Sequence, residues 1–226
     1  MPDASEADLL KSIRRIRREL SEVGPRVVRA EGDFDRVSLP YRDAEVLRDL
    51  LRAENARAVI EIGLGYGSSA LAIAEGLVSS GRSGLQHLIV DAFQDQFHEA
   101  GWNAVVAAGL TGVCTLLRER SQLALPHLVA QGIVVEAAFV DGSHIFHNVF
   151  VDLVFLRELV RPGGLIILDD CEWPSVATAV RYFELNTGWR REAIEAGTRL
   201  RAYRLPDPRL EPSFERFLPF GLDAEP

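Results

Sequence analysis

The chain has 226 residues, 47% of them hydrophobic, and carries a formal net charge of −8. That apolar content supplies a full core for one domain and speaks against global disorder. The excess of acid speaks against a nucleic-acid backbone or an anionic membrane as the main partner. No apolar run approaches the ~18 residues of a membrane span, and the N-terminus shows no signal-peptide core. The two cysteines, Cys114 and Cys171, have no metal or redox spacing. A cytoplasmic protein with reduced thiols is expected.

The first element is an amphipathic helix over residues 5–23, with Leu9, Ile13, Ile16 and Leu20 on one face and Lys11, Arg14, Arg15, Arg17 and Arg18 read as solvated. A second helix fits 42–53, with Leu47, Leu50 and Leu51 inward. Five short apolar runs come next: AVIEIG (58–63), LQHLIVDAF (85–93), VCTLL (113–117), VEAAFVDG (135–142) and GLIILDD (164–170). Their length and branched residues suit buried parallel strands. The segments between and after them, 68–79, 97–109, 121–131, 146–160 and 175–187, read as helices, and RPGG at Arg161–Gly164 stops one before a strand. The stretch WRREAIEAGTRLRAYRLP reads as a two-stranded hairpin turning at Gly197, and the tail from Pro206 as an irregular arm.

Alternation of this kind predicts an α/β fold: a doubly wound, mostly parallel seven-stranded Rossmann-like sheet with helices on both faces and a C-terminal antiparallel hairpin. The expected division is an N-terminal helical cap over 1–40, a ligand-binding domain over 41–205 and a tail over 206–226. Such sheets bind ligands beyond the carboxyl ends of their strands. Polar residues collect there: Glu61 to Gly67, Asp91, Asp141, and Asp169 with Asp170.

Gly63, Gly65 and Gly67 lie where the first strand hands over to a helix, a place where backbone can approach a ligand closely. A dinucleotide fingerprint would want glycine where Ser68 stands; the pattern is instead Glu-x-Gly-x-Gly-x-Gly, beginning at Glu61. Asp91 ends the second strand, where an acid accepts ribose hydroxyls in nucleoside-binding sheets, a feature that does not by itself separate NAD from other adenosine cofactors. If the fourth and fifth strands are neighbours, Asp141, Asp169 and Asp170 converge and repel unless a cation sits between them. His144 stands three residues after Asp141, with an ordinary pKa suited to proton transfer near neutrality. His147 ranks after it, and His87, His98 and His127 read as ordinary surface or helix residues.

From about Pro40 to Asp170, the stretches IEIGLGYGSSALAIA, VDAFQ, FVDGSH and VRPGGLIILDD make the sequence resemble the metal-dependent small-molecule O-methyltransferases of class I, both the catechol type and the bacterial sugar-modifying type. The resemblance implies an S-adenosylmethionine-dependent methyltransferase acting on a hydroxyl of a small molecule. It implies cofactor contacts from Glu61, Gly63, Gly65, Gly67, Ser68, Asp91, Gln94, Ser121 and Asp141. It further implies Mg²⁺ or another hard divalent cation on Asp141, Asp169 and Asp170, and His144 as the base. The catechol type carries lysine where this sequence has His144, which favours the sugar-modifying branch. The acceptor would be a hydroxylated small molecule, with no nucleic acid or membrane as partner and homo-oligomerisation left open. Trp173, Arg36, Tyr41 and Trp102 stand where such an acceptor would reach. Methyl transfer to nitrogen or carbon, and cofactor binding without catalysis, are the alternatives.

Overall fold

The computed structural model describes residues 5–25 and 33–221. Residues 1–4 and 26–32 of the expected cap, and 222–226 of the expected tail, lie outside the described residues.

Seven strands form one sheet: β1 (Ala58–Ile62), β2 (Gln86–Val90), β3 (Cys114–Leu117), β4 (Val135–Val140), β5 (Val160–Leu168), β6 (Arg190–Arg191) and β7 (Arg201–Arg204). Their order is β3-β2-β1-β4-β5-β7-β6. The first five are parallel, and β7 pairs antiparallel with both β5 and β6. The helices are α1 (Glu6–Val23), α2 (Phe34–Val37), α3 (Tyr41–Ala53), α4 (Ser68–Val78), α5 (Ala100–Ala107), α6 (Ser121–Ala130), α7 (Phe146–Leu159) and α8 (Pro174–Thr187). This is the expected Rossmann-like arrangement, with strand order reversing about β1.

Both faces of the sheet are covered, which is why β1, β4 and β5 read as nearly unbroken apolar runs. Ile60, Ala138 and Ile166 pack on Leu125 of α6, Leu153 of α7 and Phe183 of α8. On the other face Val59, Phe139 and Ile167 meet Leu47 and Leu51 of α3 and Ile73 of α4. Ile13 and Leu20 of α1 are buried with Leu71 and Ala74 of α4, so the first helix is part of the domain core. Among the described residues no helix is long and apolar enough to cross a membrane.

Strand register aligns the polar residues at the sheet's carboxyl edge. Ile62 pairs with both Val90 and Val140, and Val140 pairs with Leu168. The next residue of each strand therefore lies in one layer: Gly63, Asp91, Asp141 and Asp169. The ladder continues into that layer, with Gly63 N–H donating to Val90, Asp141 N–H to Ile62 and Asp169 N–H to Val140.

Four details depart from the periodicity. The short helix α2 has no sequence pattern. The helix expected from 97 starts at Ala100, because the preceding residues coil through turns in which His98 and Glu99 take positive φ (51° and 60°). β5 begins at Val160 rather than after the RPGG stretch: pairing runs Val135 with Val160 and resumes at Ala137 with Leu165, so residues 161–164 bulge out. The hairpin is asymmetric; β6 is two residues long and Gly197 lies in the loop that leads to β7. Beyond β7 the chain has no helix or strand up to residue 221, but it is attached: Asn186 of α8 exchanges two hydrogen bonds with the Leu218 backbone, and Phe220 packs against Phe150 and Tyr182.

Candidate active site

The glycines after β1 answer to specific contacts. Gly63 has φ +91°, and a Cβ there would stand 2.2 Å from the Asp141 carbonyl oxygen. The loop after β1 thus lies directly on the loop after β4, a closeness only glycine permits. Gly67, with φ +88°, is the N-cap of α4 and packs on the Gly101 backbone.

Asp91 organises this loop. Its Oδ2 accepts from the Leu64 and Gly65 backbone N–H groups and from Gln94 Nε2, and its Oδ1 accepts from the Phe93 N–H. Gln94 Nε2 also donates to the Gly65 carbonyl. A carboxylate has about four acceptor positions, so most of the capacity of Asp91 is taken by the loop, with Oδ1 the freer oxygen. Glu61 is fully buried: Oε1 accepts the Ser69 hydroxyl, and Oε2 lies 2.9 Å from His87 Nε2. His87 is therefore a core residue rather than the surface residue its sequence setting implied, with no exposure at all. His98 and His127 are exposed as expected.

Ser68, the first residue of α4, borders a cavity of about 180 Å³ that is also lined by Arg17, Phe34, Ser38, Pro40 and Tyr41. The Ser38 hydroxyl is buried there without a hydrogen-bond partner among the described residues. Arg17 pairs with Glu75 and with Glu45 (2.7 Å) and lies over the Tyr41 ring. Ser121 begins α6, close to the buried Asp152, whose pKa burial lifts to about 7 against the pull of the Ser121 hydroxyl.

At the ends of β4 and β5, one ligand atom each from Asp141, His144 and Asp170 lies within 4.8 Å of the others. His144 Nε2 is 2.8 Å from Asp170 Oδ2. That hydrogen bond, against the opposing effect of burial, raises the His144 pKa above its ordinary value and lowers that of Asp170. Asp141 is pushed well above the usual carboxylate range, first by burial and then by the charges of Asp169 and Asp170. Asp170 takes a left-handed conformation, φ 54°, that non-glycine residues seldom adopt, so its backbone carries strain where its side chain meets His144. The loop bearing His144 is pinned by Asn148 Nδ2 and the Ile145 N–H donating to the Ser143 hydroxyl oxygen, and by the Ser175 hydroxyl donating to the His144 carbonyl.

Asp169 is adjacent but differently engaged. Arg199 Nε donates to both its carboxylate oxygens (2.9 and 3.0 Å), and Nη2 donates to Oδ2 at 2.6 Å. The structure thus brings together two of the three expected aspartates and adds His144, while Asp169 faces a guanidinium. Sequence reasoning did not find Arg199. The signal was the hairpin: β7 pairs Arg201 with Leu168, which carries residue 199 past the end of β5 to Asp169. Trp173 is half exposed, its ring nearly parallel to that of His144 with centroids 6.5 Å apart. Tyr41 is exposed at the cavity wall, Arg36 is exposed beside Asp33, and Trp102 packs against the α1–α4 core.

A glycine loop, an acid at the end of β2 and a charged cluster at the ends of β4 and β5, on a sheet of this order, are the parts that the resemblance to class I methyltransferases leads one to expect. Comparison bears this out. Residues 60–171 match the sequence profile of a family described as a methyltransferase domain. A protein of Arabidopsis thaliana named as a putative caffeoyl-CoA O-methyltransferase is 27% identical over 154 residues, covering 68% of this chain and 63% of the relative. The fold is shared with the O-methyltransferase TomG of Streptomyces achromogenes, solved with S-adenosylmethionine (TM-score 0.61, 19% identity, 90% of this chain and 91% of that one). It is shared also with an O-methyltransferase of Bacillus cereus solved with S-adenosylhomocysteine (TM-score 0.56, 16% identity, 90% and 92%).

Proposed function

We propose that this protein transfers a methyl group from S-adenosylmethionine to a hydroxyl of a small-molecule acceptor, with His144 as the base. The observation that carries the reading is the seating of the glycine loop on Asp141, which puts the cofactor loop beside the Asp141–His144–Asp170 cluster. The cofactor, when bound, supplies an electrophilic methyl on a sulfonium. Gly63, Gly65 and Gly67 admit it against the backbone, the freer oxygen of Asp91 is available to its ribose, and the cavity at Ser68 suits its amino-acid end. There the orphaned Ser38 hydroxyl and the N-terminus of α4 favour a carboxylate.

His144 works through two atoms. With Nε2–H held by Asp170, Nδ1 keeps a lone pair for the acceptor's proton. Asp170 makes the ring a stronger base and stabilises the imidazolium formed. The side chains of Asp141 and Asp170 offer two carboxylates crowded enough to favour a cation, and this donor set fits a hard divalent ion that retains waters. Such an ion supplies acidification of the acceptor hydroxyl. Asp169, expected as a third ligand, is held by Arg199 and takes no part in the set as it stands. Sulfonium and alkoxide charges cancel as the methyl moves, so alignment and exclusion of water matter more than charge stabilisation at the methyl. The exposed Trp173 offers a flat surface to the acceptor.

The test is transfer of radiolabelled methyl from S-adenosylmethionine to a panel of phenolic and sugar hydroxyls, with and without EDTA. Wild-type turnover that falls at least about a hundredfold in His144→Ala supports the base assignment. Turnover untouched by EDTA removes the cation from the scheme, and no labelled product on any acceptor removes the O-methyl reading.

A further inference from the structure

We propose that His87 is a positioning residue for the cofactor site, acting through Glu61 on Ser69 in the first turn of α4. This rests on the cofactor reading above and adds a residue that does not itself touch the ligand. The contacts form a continuous buried chain. Cys114 Sγ lies 3.5 Å from His87 Nδ1, His87 Nε2 lies 2.9 Å from Glu61 Oε2, and the Ser69 hydroxyl donates to Glu61 Oε1. Glu61 and His87 have no exposure, Cys114 has 3% and Ser69 5%.

A carboxylate buried in this way is costly unless its charge is paired. His87 is the charge partner of Oε2 by proximity: the two atoms lie 2.9 Å apart, and neither makes a hydrogen bond among the described residues, so the pairing is electrostatic. Burial opposes a charge on His87, but the nearby Cys114 sulfur and the Glu61 carboxylate outweigh it and raise its pKa to about 10, which favours pairing with Glu61. With Oε2 committed to His87, Oε1 is left to hold Ser69. That matters because α4 lacks an ordinary cap. Its N-cap is Gly67 in the left-handed conformation, with no side chain to satisfy the first turn. The Ser69–Glu61 bond is what ties that turn to β1, and with it the placement of Ser68 and the helix N-terminus at the cavity. Cys114 fixes the imidazole from the far side, so the support runs from β3 through β2 and β1 to the cofactor loop.

The experiment compares the full-length wild type with His87→Gln, Ser69→Ala and the double variant, using calorimetric titration of S-adenosylhomocysteine, steady-state kinetics and circular dichroism. Each single variant is expected to weaken S-adenosylhomocysteine about tenfold. The double variant should weaken it no further than the worse single one, because both break one link. KM for S-adenosylmethionine should rise by more than kcat falls, with KM for the acceptor unmoved, a split that general loosening of the core would not produce. Ser69→Ala removes one hydroxyl, so it carries the test alone if His87→Gln does not fold. Folded variants that bind within about twofold of wild type, or strictly additive losses, overturn the proposal. Wild type that fails to bind S-adenosylhomocysteine overturns the cofactor reading itself.

Discussion

The two halves of the site are built on opposite principles. Around the glycine loop the carboxylates are answered internally: Asp91 by three backbone N–H groups and Gln94, Glu61 by the Ser69 hydroxyl on one oxygen and by the approach of His87 to the other. At the ends of β4 and β5, Asp141 carries a raised pKa, Asp170 a strained backbone and His144 an exposed ring. Under the proposed function the difference separates a seat that must be rigid before its ligand arrives from a cluster that keeps unsatisfied charge for chemistry.

That contrast breaks most sharply where the halves touch. Gly63→Ala drives a methyl into the Asp141 carbonyl at positive φ, with an expected loss of about 3 kcal/mol or more in urea denaturation. A loss near zero would mean that the two loops part easily. Arg199→Ala comes next. It strips the buried Asp169 of its counter-charge at an expected cost of about 2–3 kcal/mol, discounted because Arg199 is partly exposed. Added Mg²⁺ should then recover part of the loss in a thermal melt, since the freed carboxylate joins Asp141 and Asp170; no recovery would keep Asp169 out of any ligand set.

Asp141→Asn tests whether the charged half gives up stability for its readiness. The folded pKa of Asp141 is raised, so ionisation disfavours the native state and the penalty grows above about pH 4. The asparagine variant should therefore be more stable at pH 8, by about 1 kcal/mol, while losing turnover, and the gain should vanish in acid. The mildest effect concerns pH alone. His144 must be neutral to accept a proton, so turnover rises with pH through its pKa, which Asp170 lifts above about 6.5. Asp170→Asn should move that acid limb downward, and an unmoved limb would assign it to another group.

The same contrast governs what could be read in advance. The sheet and the loop positions followed from apolar runs, spaced glycines and strand-end acids, because buried parallel strands and close backbone contacts leave a local imprint; the strand order came from the structure. Asp141 and Asp170 were legible as strand-end acids, whereas His144 was singled out by the family resemblance and expected beside the metal acids rather than among them. Arg199 was not, since its meeting with Asp169 depends on the antiparallel return of β7 across 30 residues of sequence. Nor was His87, because an imidazole between apolar neighbours looks the same in sequence whether a carboxylate from another strand awaits it or not. The α2 turn, with Ser38 behind it, left no periodic trace at four residues.

The missing side chain at Gly63 has a mechanical corollary. Since a Cβ at this position would meet a carbonyl of the neighbouring strand end, the loops after β1 and β4 cannot slide past one another without breaking the sheet ladder that joins the two strands. Their spacing is thus settled when the core forms, and under the proposed function an arriving acceptor has only its own orientation left to surrender.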